Sequence, residues 1–145
     1  MRAVIQRVNS ASVSIEGKIY SSTEKGLMVL LGVGENDSEK DALKTAEKIA
    51  NMRIFSNNAG KFDLSVKDIG GEILLVSQFT LYGDASKGRR PDFSRAARPV
   101  EAEKLYKLTA SALEKEGLKV KTGIFQAEMK VSLENDGPVT VIYET

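Results

Sequence analysis

Hydrophobic and polar positions along the chain follow two periods. Near the N-terminus, Val4, Gln6 and Val8 alternate with Ile5 and Arg7, and Val13 and Ile15 lead into Glu16-Gly17-Lys18. That pattern predicts strands joined by a turn, with Ile19-Tyr20 returning. Leu27-Met28-Val29-Leu30-Leu31 is an unbroken apolar run, as expected of a strand buried on both faces. Asp37-Ser38 announces a helix, with Asp41 completing a weak capping box. Leu43, Ala46, Ile49, Ala50 and Met52 form its apolar stripe. Asn57-Asn58-Ala59-Gly60 separates short strand-like pieces, and Gly70-Gly71 opens a second buried strand from Ile73 to Leu81. Pro99 suits the first turn of a second helix, with Leu105, Leu108, Ala112 and Leu113 inward and Gly117 as its stop.

Toward the C-terminus the alternation is clearest. Phe125, Ala127, Met129, Val131 and Leu133 fall on one face of a predicted strand, with Gln126, Glu128, Lys130, Ser132 and Glu134 on the other. Asn135-Asp136-Gly137-Pro138 reads as a turn, and Val139 to Tyr143 as a final strand. Strands dominate, two helices interrupt them, and β and α do not alternate regularly. The expected fold is α+β: one domain over 1–145, built on a mainly antiparallel, curved, barrel-like sheet with two helices.

Composition narrows the chemistry. The chain has no Cys, His or Trp. A disulfide framework, a thiolate nucleophile, a cysteine zinc site and an imidazole base are thereby excluded. An enzyme built from this sequence works with hydroxyls, carboxylates, lysines, backbone groups or its own substrate. The net charge of +1 provides no global attraction to a polyanion. The N-terminus lacks the apolar core of a signal peptide, and Leu27–Val33 is far short of the ~20 residues of a membrane helix. The expectation is a soluble cytoplasmic protein.

Candidate motifs are few. Gly83-Asp84-Ala85-Ser86-Lys87-Gly88-Arg89-Arg90 nearly spells a phosphate loop, but Arg89-Arg90 replace the Lys-Ser/Thr pair and Pro91 follows. Gly32-Val33-Gly34 has Asp37 where a dinucleotide fingerprint needs its third glycine. Asp63, Asp68 and Glu72 match no acid/base or metal spacing, so no metal or cofactor is expected. Lys87, Arg89, Arg90, Arg95 and Arg98, interleaved with Phe93, read either as a solvated loop or as a phosphate-backbone contact. Ser77-Gln78-Phe79-Thr80 places three hydrogen-bonding side chains at the end of an apolar strand, either a satisfied strand end or a site. Gly137-Pro138 admits a cis peptide more readily than a non-proline pair.

Together these segments resemble the D-aminoacyl-tRNA deacylase family. Ser77-Gln78-Phe79-Thr80-Leu81 and Asn135-Asp136-Gly137-Pro138-Val139-Thr140 match its two signatures. Met1-Arg2-Ala3-Val4-Ile5-Gln6-Arg7-Val8, Gly88-Arg89-Arg90-Pro91-Asp92-Phe93-Ser94 and Phe125-Gln126-Ala127-Glu128-Met129 are similar to family segments too. Gln126 departs from the small residue more usual there and is expected on the strand's polar face, outside the pocket.

The resemblance implies hydrolysis of the ester joining a D-amino acid to the terminal adenosine of tRNA, with glycyl-tRNA also cleaved, and with the RNA 2′-hydroxyl assisting water. It implies an oxyanion hole from the backbone amides of Phe79 and Thr80, with Ser77 and Gln78 holding adenosine and substrate. Phe125 and Met129 would line the adenosine pocket. Gly137-Pro138 would be cis and would reach the partner's site in a homodimer, supported by Arg7. Core packing for Phe125 and Met129, and a surface strand position for Arg7, remain open from the residues alone. Two rival functions do as well: a non-catalytic homodimeric tRNA-binding module, and an esterase using Thr80 as nucleophile.

Overall fold

The computed structural model describes residues 1–145. Eight strands and two helices follow in the order β1 (Arg2–Ile15), β2 (Lys18–Thr23), β3 (Gly26–Gly32), α1 (Glu39–Asn51), β4 (Phe55–Ser56), β5 (Phe62–Leu64), β6 (Glu72–Ser77), α2 (Pro99–Lys115), β7 (Lys119–Thr122) and β8 (Lys130–Glu144). A 3₁₀ turn, Phe79–Tyr82, follows β6.

The main sheet runs β2-β1-β3-β6-β7, with β8 paired along β1. All three neighbours of β1 are antiparallel to it, whereas β3–β6 and β6–β7 are parallel. The sheet is therefore mixed, and α1 and α2 lie in the two crossovers that parallel pairing requires. Ser21 Oγ donates to the Thr122 carbonyl at 2.9 Å and Lys121 Nζ to the Ser22 carbonyl at 2.6 Å. These bonds bring β2 to β7 and nearly close the sheet into a barrel.

Both apolar runs are buried on two faces, as expected. Leu27, Val29, Leu31, Ile73 and Leu75 join the larger core with Ile49, Ala46 and Leu105 of the helices. Met28, Leu74 and Val76 join Val8, Ala11 and Val13 in a second core inside the curve. The capping box at α1 forms, with Ser38 N donating to Asp41 Oδ2 at 2.9 Å. Leu43, expected in the stripe, is instead half exposed; α1 buries Ala42, Thr45, Ala46, Ile49 and Ala50. This small-residue face centres on Ala46, away from Leu43. Pro99 opens α2, and Gly117 follows its last turn with φ +84°.

Three expected elements differ. The second buried strand ends at Ser77 rather than Leu81, and Phe79–Tyr82 turn as 3₁₀. Residues 124–129 are not strand: Ala127 N donates to the Ile124 carbonyl, closing a turn in which Gln126 has φ +62°. Asn135–Pro138 does not reverse the chain, because β8 continues through it and the β1 register slips there. Gln6 faces Thr140 and Val8 faces Asn135, so Asp136–Val139 bulge out opposite Arg7. The Asn135 side chain spans the bulge, donating to the Val139 carbonyl at 3.1 Å and accepting from Val139 N at 2.7 Å.

Candidate active site

The end of β6 opens into a cavity of about 630 Å³. Ser77, Gln78 and Phe79 form one wall, and Phe125, Gln126 and Met129 another; Phe93 and the start of α2 complete it. Every charged side chain is absent from its lining, so the enclosed surface is apolar with a few hydrogen-bonding groups.

Local packing fixes each wall. Arg2 Nη1 donates to the Leu81 carbonyl at 3.1 Å, and its guanidinium lies 4.6 Å from the Tyr82 ring centre. The Tyr82 hydroxyl donates to Asp37 at 3.2 Å, and burial beside that carboxylate raises its pKa. The 3₁₀ turn is thus pinned from below. Its first internal bond runs from Leu81 N to the Gln78 carbonyl at 3.2 Å, so the amides of Phe79 and Thr80 precede it with no acceptor in their own turn.

On the opposite wall, Phe125 packs 6.1 Å from Tyr106, whose hydroxyl donates to the Leu75 carbonyl at 2.7 Å. Burial raises the Tyr106 pKa, so it remains a neutral donor. Met129 sits over Gly123, where an added Cβ would lie 2.5 Å from its sulfur; a larger residue at 123 would push Met129 aside. Phe79 is exposed at 56% and meets the edge of Phe93 at 5.2 Å.

The Thr80 hydroxyl has one side-chain partner, the Gln78 carboxamide, which donates to it. An amide is no base in either orientation, so nothing there takes up the hydroxyl proton.

Of the residues expected at a site, Ser77, Gln78, Phe79, Phe125 and Met129 line this one cavity. Thr80 lies just outside the lining, on the same turn as Phe79. Arg7, Gly137 and Pro138 lie elsewhere. Arg7 is a buried residue of β1, not a surface one, and its Nε donates to the Asp136 carbonyl at 2.9 Å. Gly137 and Pro138 are exposed, and the peptide between them is cis.

Gln126 is a correction: it lines the cavity. The expectation placed it on a strand face, and the turn that replaces the strand carries it inward. Ala96, Ala97, Ala102 and Val33 also line the cavity and had no signal in the sequence. Phe93 was visible as the aromatic among the loop's arginines and within the Gly88–Ser94 segment, but not as part of a cavity wall.

A nearly closed α+β barrel whose cavity is lined by apolar and uncharged polar residues, beside a threonine with no base in contact, defines the class of protein by fold and site. The model for D-Tyr-tRNA(Tyr) deacylases matches residues 4–144. The chain belongs to that family. It is 57% identical to a D-aminoacyl-tRNA deacylase of Thermosipho melanesiensis, covering 100% of this chain and 97% of the relative. A D-aminoacyl-tRNA deacylase of Myxococcus xanthus is 54% identical, with 100% and 95% covered. Among solved structures, a c-Myc DNA unwinding element binding protein is 42% identical at TM-score 0.94, covering 100% of this chain and 99% of that one. A probable eukaryotic D-amino acid tRNA deacylase, 17% identical with 98% and 97% covered, shares the fold at TM-score 0.85.

Proposed function

We propose that this chain hydrolyses the ester of D-aminoacyl-tRNA, releasing free tRNA and the D-amino acid. The observation that carries this reading is the uncharged cavity with Phe79 in its wall and no base at Thr80. In this mechanism the terminal adenosine lies between Phe125 and Met129, and Ser77 and Gln78 hold the ribose and ester. Water attacks the carbonyl carbon, hydrogen-bonded to the RNA 2′-hydroxyl. The amides of Phe79 and Thr80 donate to the oxygen that gains negative charge. The bond from carbonyl carbon to the 3′ oxygen then breaks, and the proton lost by water ends on that oxygen. The ester is already activated, so positioning and charge stabilisation suffice.

Selection of the D form falls to the Gly137-Pro138 corner. Within one chain it does not line the cavity, so in this reading it serves the cavity of a second copy, in a homodimer. The exposure of Ile142, Leu133 and Phe62, with β8 lying along a sheet edge, supports a covered surface on this side. Backbone carbonyls at the corner hold the substrate amino group and occupy the space of an L side chain. Glycine presents no side chain to exclude, so glycyl-tRNA is cleaved as well.

The deciding experiment compares D-tyrosyl-, L-tyrosyl- and glycyl-tRNA, and D-tyrosyl-tRNA ending in 2′-deoxyadenosine with the amino acid on its 3′ oxygen. Fast cleavage of the D and glycyl esters, slow cleavage of the L ester and loss with the bound deoxy substrate are expected. Cleavage of the deoxy substrate that disappears in Thr80→Ala would place the nucleophile on the protein. Binding without turnover of any ester would make the chain an RNA-binding module.

A further inference from the structure

With the end of a polynucleotide assigned to the cavity under the proposed function, the loop between the 3₁₀ turn and α2 is left without a role. We infer that Lys87, Arg89 and Arg90 form a contact for the phosphodiester backbone of the RNA whose terminal nucleoside enters the cavity, an inference that rests on the reading of that cavity given above.

The loop has a built neck and a charged tip. Asp84 N donates to the Asp92 carbonyl at 2.8 Å and Asp92 N to the Asp84 carbonyl at 2.9 Å, so the chain closes on itself there. Both neck carboxylates are turned to local amides: Asp84 accepts from Ser86 N at 2.8 Å, and Asp92 from Ser94 N at 2.9 Å. Lys87, Arg89 and Arg90 lie beyond the neck, are exposed, and take part in none of the eight ion pairs of the structure. Three cations are thus presented at the tip with the acids held behind them.

The neck is also joined to the cavity. Phe93 follows Asp92, lines the cavity and meets Phe79 edge-on at 5.2 Å. A Cβ on Gly83 would lie 2.9 Å from the Phe93 ring, so the small residue lets the ring seat against the neck. Arg90 is three residues from Phe93, a span of at most roughly 10 Å of chain. The cationic tip is therefore tied, through the neck and Phe93, to the wall of the cavity. Guanidinium matches phosphate oxygens two at a time, and the tip between the aspartates has no large apolar side chain on which a protein partner could pack.

The test uses the full chain and its variant Lys87→Gln/Arg89→Gln/Arg90→Gln. Binding of uncharged tRNA is measured across a salt series, together with cleavage of D-tyrosyl-tRNA and of the D-tyrosyl ester of adenosine alone. The variant is expected to lower the slope of log Kd against log salt by about two. KM for the charged tRNA should rise by about tenfold or more with kcat unchanged, while the phosphate-free ester is cleaved as before. Arg89→Lys/Arg90→Lys should keep the wild-type slope, since charge is retained. An unchanged slope and KM in the glutamine variant overturns the phosphate contact while leaving the catalytic reading intact. Equal loss on the adenosine ester also overturns it, because the loop would then act on the cavity. A wild type that binds tRNA with a steep slope lost in the variant, yet cleaves no ester, keeps the contact and overturns the catalytic reading instead.

Discussion

Arg7 Nε donates to the Asp136 carbonyl at 2.9 Å while Arg7 Nη1 donates to the Ile54 carbonyl at 2.7 Å, so one buried guanidinium ties the β8 bulge to the segment after α1. The Asp136 carboxylate lies 3.4 Å from the same Nε, and the guanidinium carbon is 5.4 Å from the Phe62 ring centre. Arg7→Ala leaves both carbonyls short of a charged donor and should cost about 2–4 kcal/mol in urea unfolding. If the bulge selects chirality, the D-to-L cleavage ratio should fall in Arg7→Ala. An unchanged ratio would detach Arg7 from selectivity.

Gly137 has φ +138°, and a Cβ there would lie 2.7 Å from Val139 Cγ2 and 3.1 Å from Arg7 Nη2. Gly137→Ala should destabilise the chain by about 1–3 kcal/mol, from the backbone conformation alone. Under the proposed function it should also raise L-tyrosyl-tRNA cleavage relative to D. Stability equal to wild type in thermal melts would contradict the conformational part.

Thr80→Ala removes the hydroxyl and keeps the amide. Deacylation of D-tyrosyl-tRNA should survive within about tenfold, a loss below roughly 1.4 kcal/mol in the barrier. Abolished turnover in a folded Thr80→Ala protein would return the hydroxyl to the chemistry.

Gln126 adopts φ +62° in a turn that favours glycine at that place. Gln126→Gly should therefore raise stability by up to about 1 kcal/mol, read as a higher urea midpoint with unchanged slope. Because the turn is kept, any change in KM for charged tRNA reports on the side chain in the cavity.

Asp84 and Asp92 both titrate below the ordinary 3.8, chiefly through hydrogen bonds from Ser86 to Asp84 and from Ser94 to Asp92. A folded pKa below the unfolded one contributes stability that is present above the unfolded value and is lost as pH falls through the folded one. The loop neck should hold throughout the neutral range and loosen only below about pH 3.8. Amide shifts of Ser86 and Ser94 followed by NMR should show midpoints under that value, and midpoints above it would contradict the caps.

Local signals in the sequence determined local structure. The unbroken run at Leu27–Leu31 marked a doubly buried strand, Ser38 with Asp41 marked the start of α1, and Pro99 and Gly117 bracketed α2. Each rests on groups within a few residues of one another, so spacing alone suffices to read it. The absence of histidine and cysteine likewise restricted the chemistry to hydroxyls, carboxylates, lysines, backbone groups or the substrate itself before any fold was known. Tertiary structure decided what depends on partners distant in the chain. Alternation from Phe125 to Leu133 suited a strand, but 124–129 have no strand to pair with and wrap the cavity, carrying Gln126 in. The residues Asn135–Pro138 are turn formers, yet pairing with β1 on both sides holds them as a bulge in one long strand. Arg7 is a charged residue on the same face of β1 as the buried Ala3 and Ile5, and its burial is tolerated because two carbonyls, at Ile54 and Asp136, converge on it from far along the chain. The cavity itself joins β6, the Phe93 loop, α2 and the turn before β8, a meeting that only the closed sheet brings about.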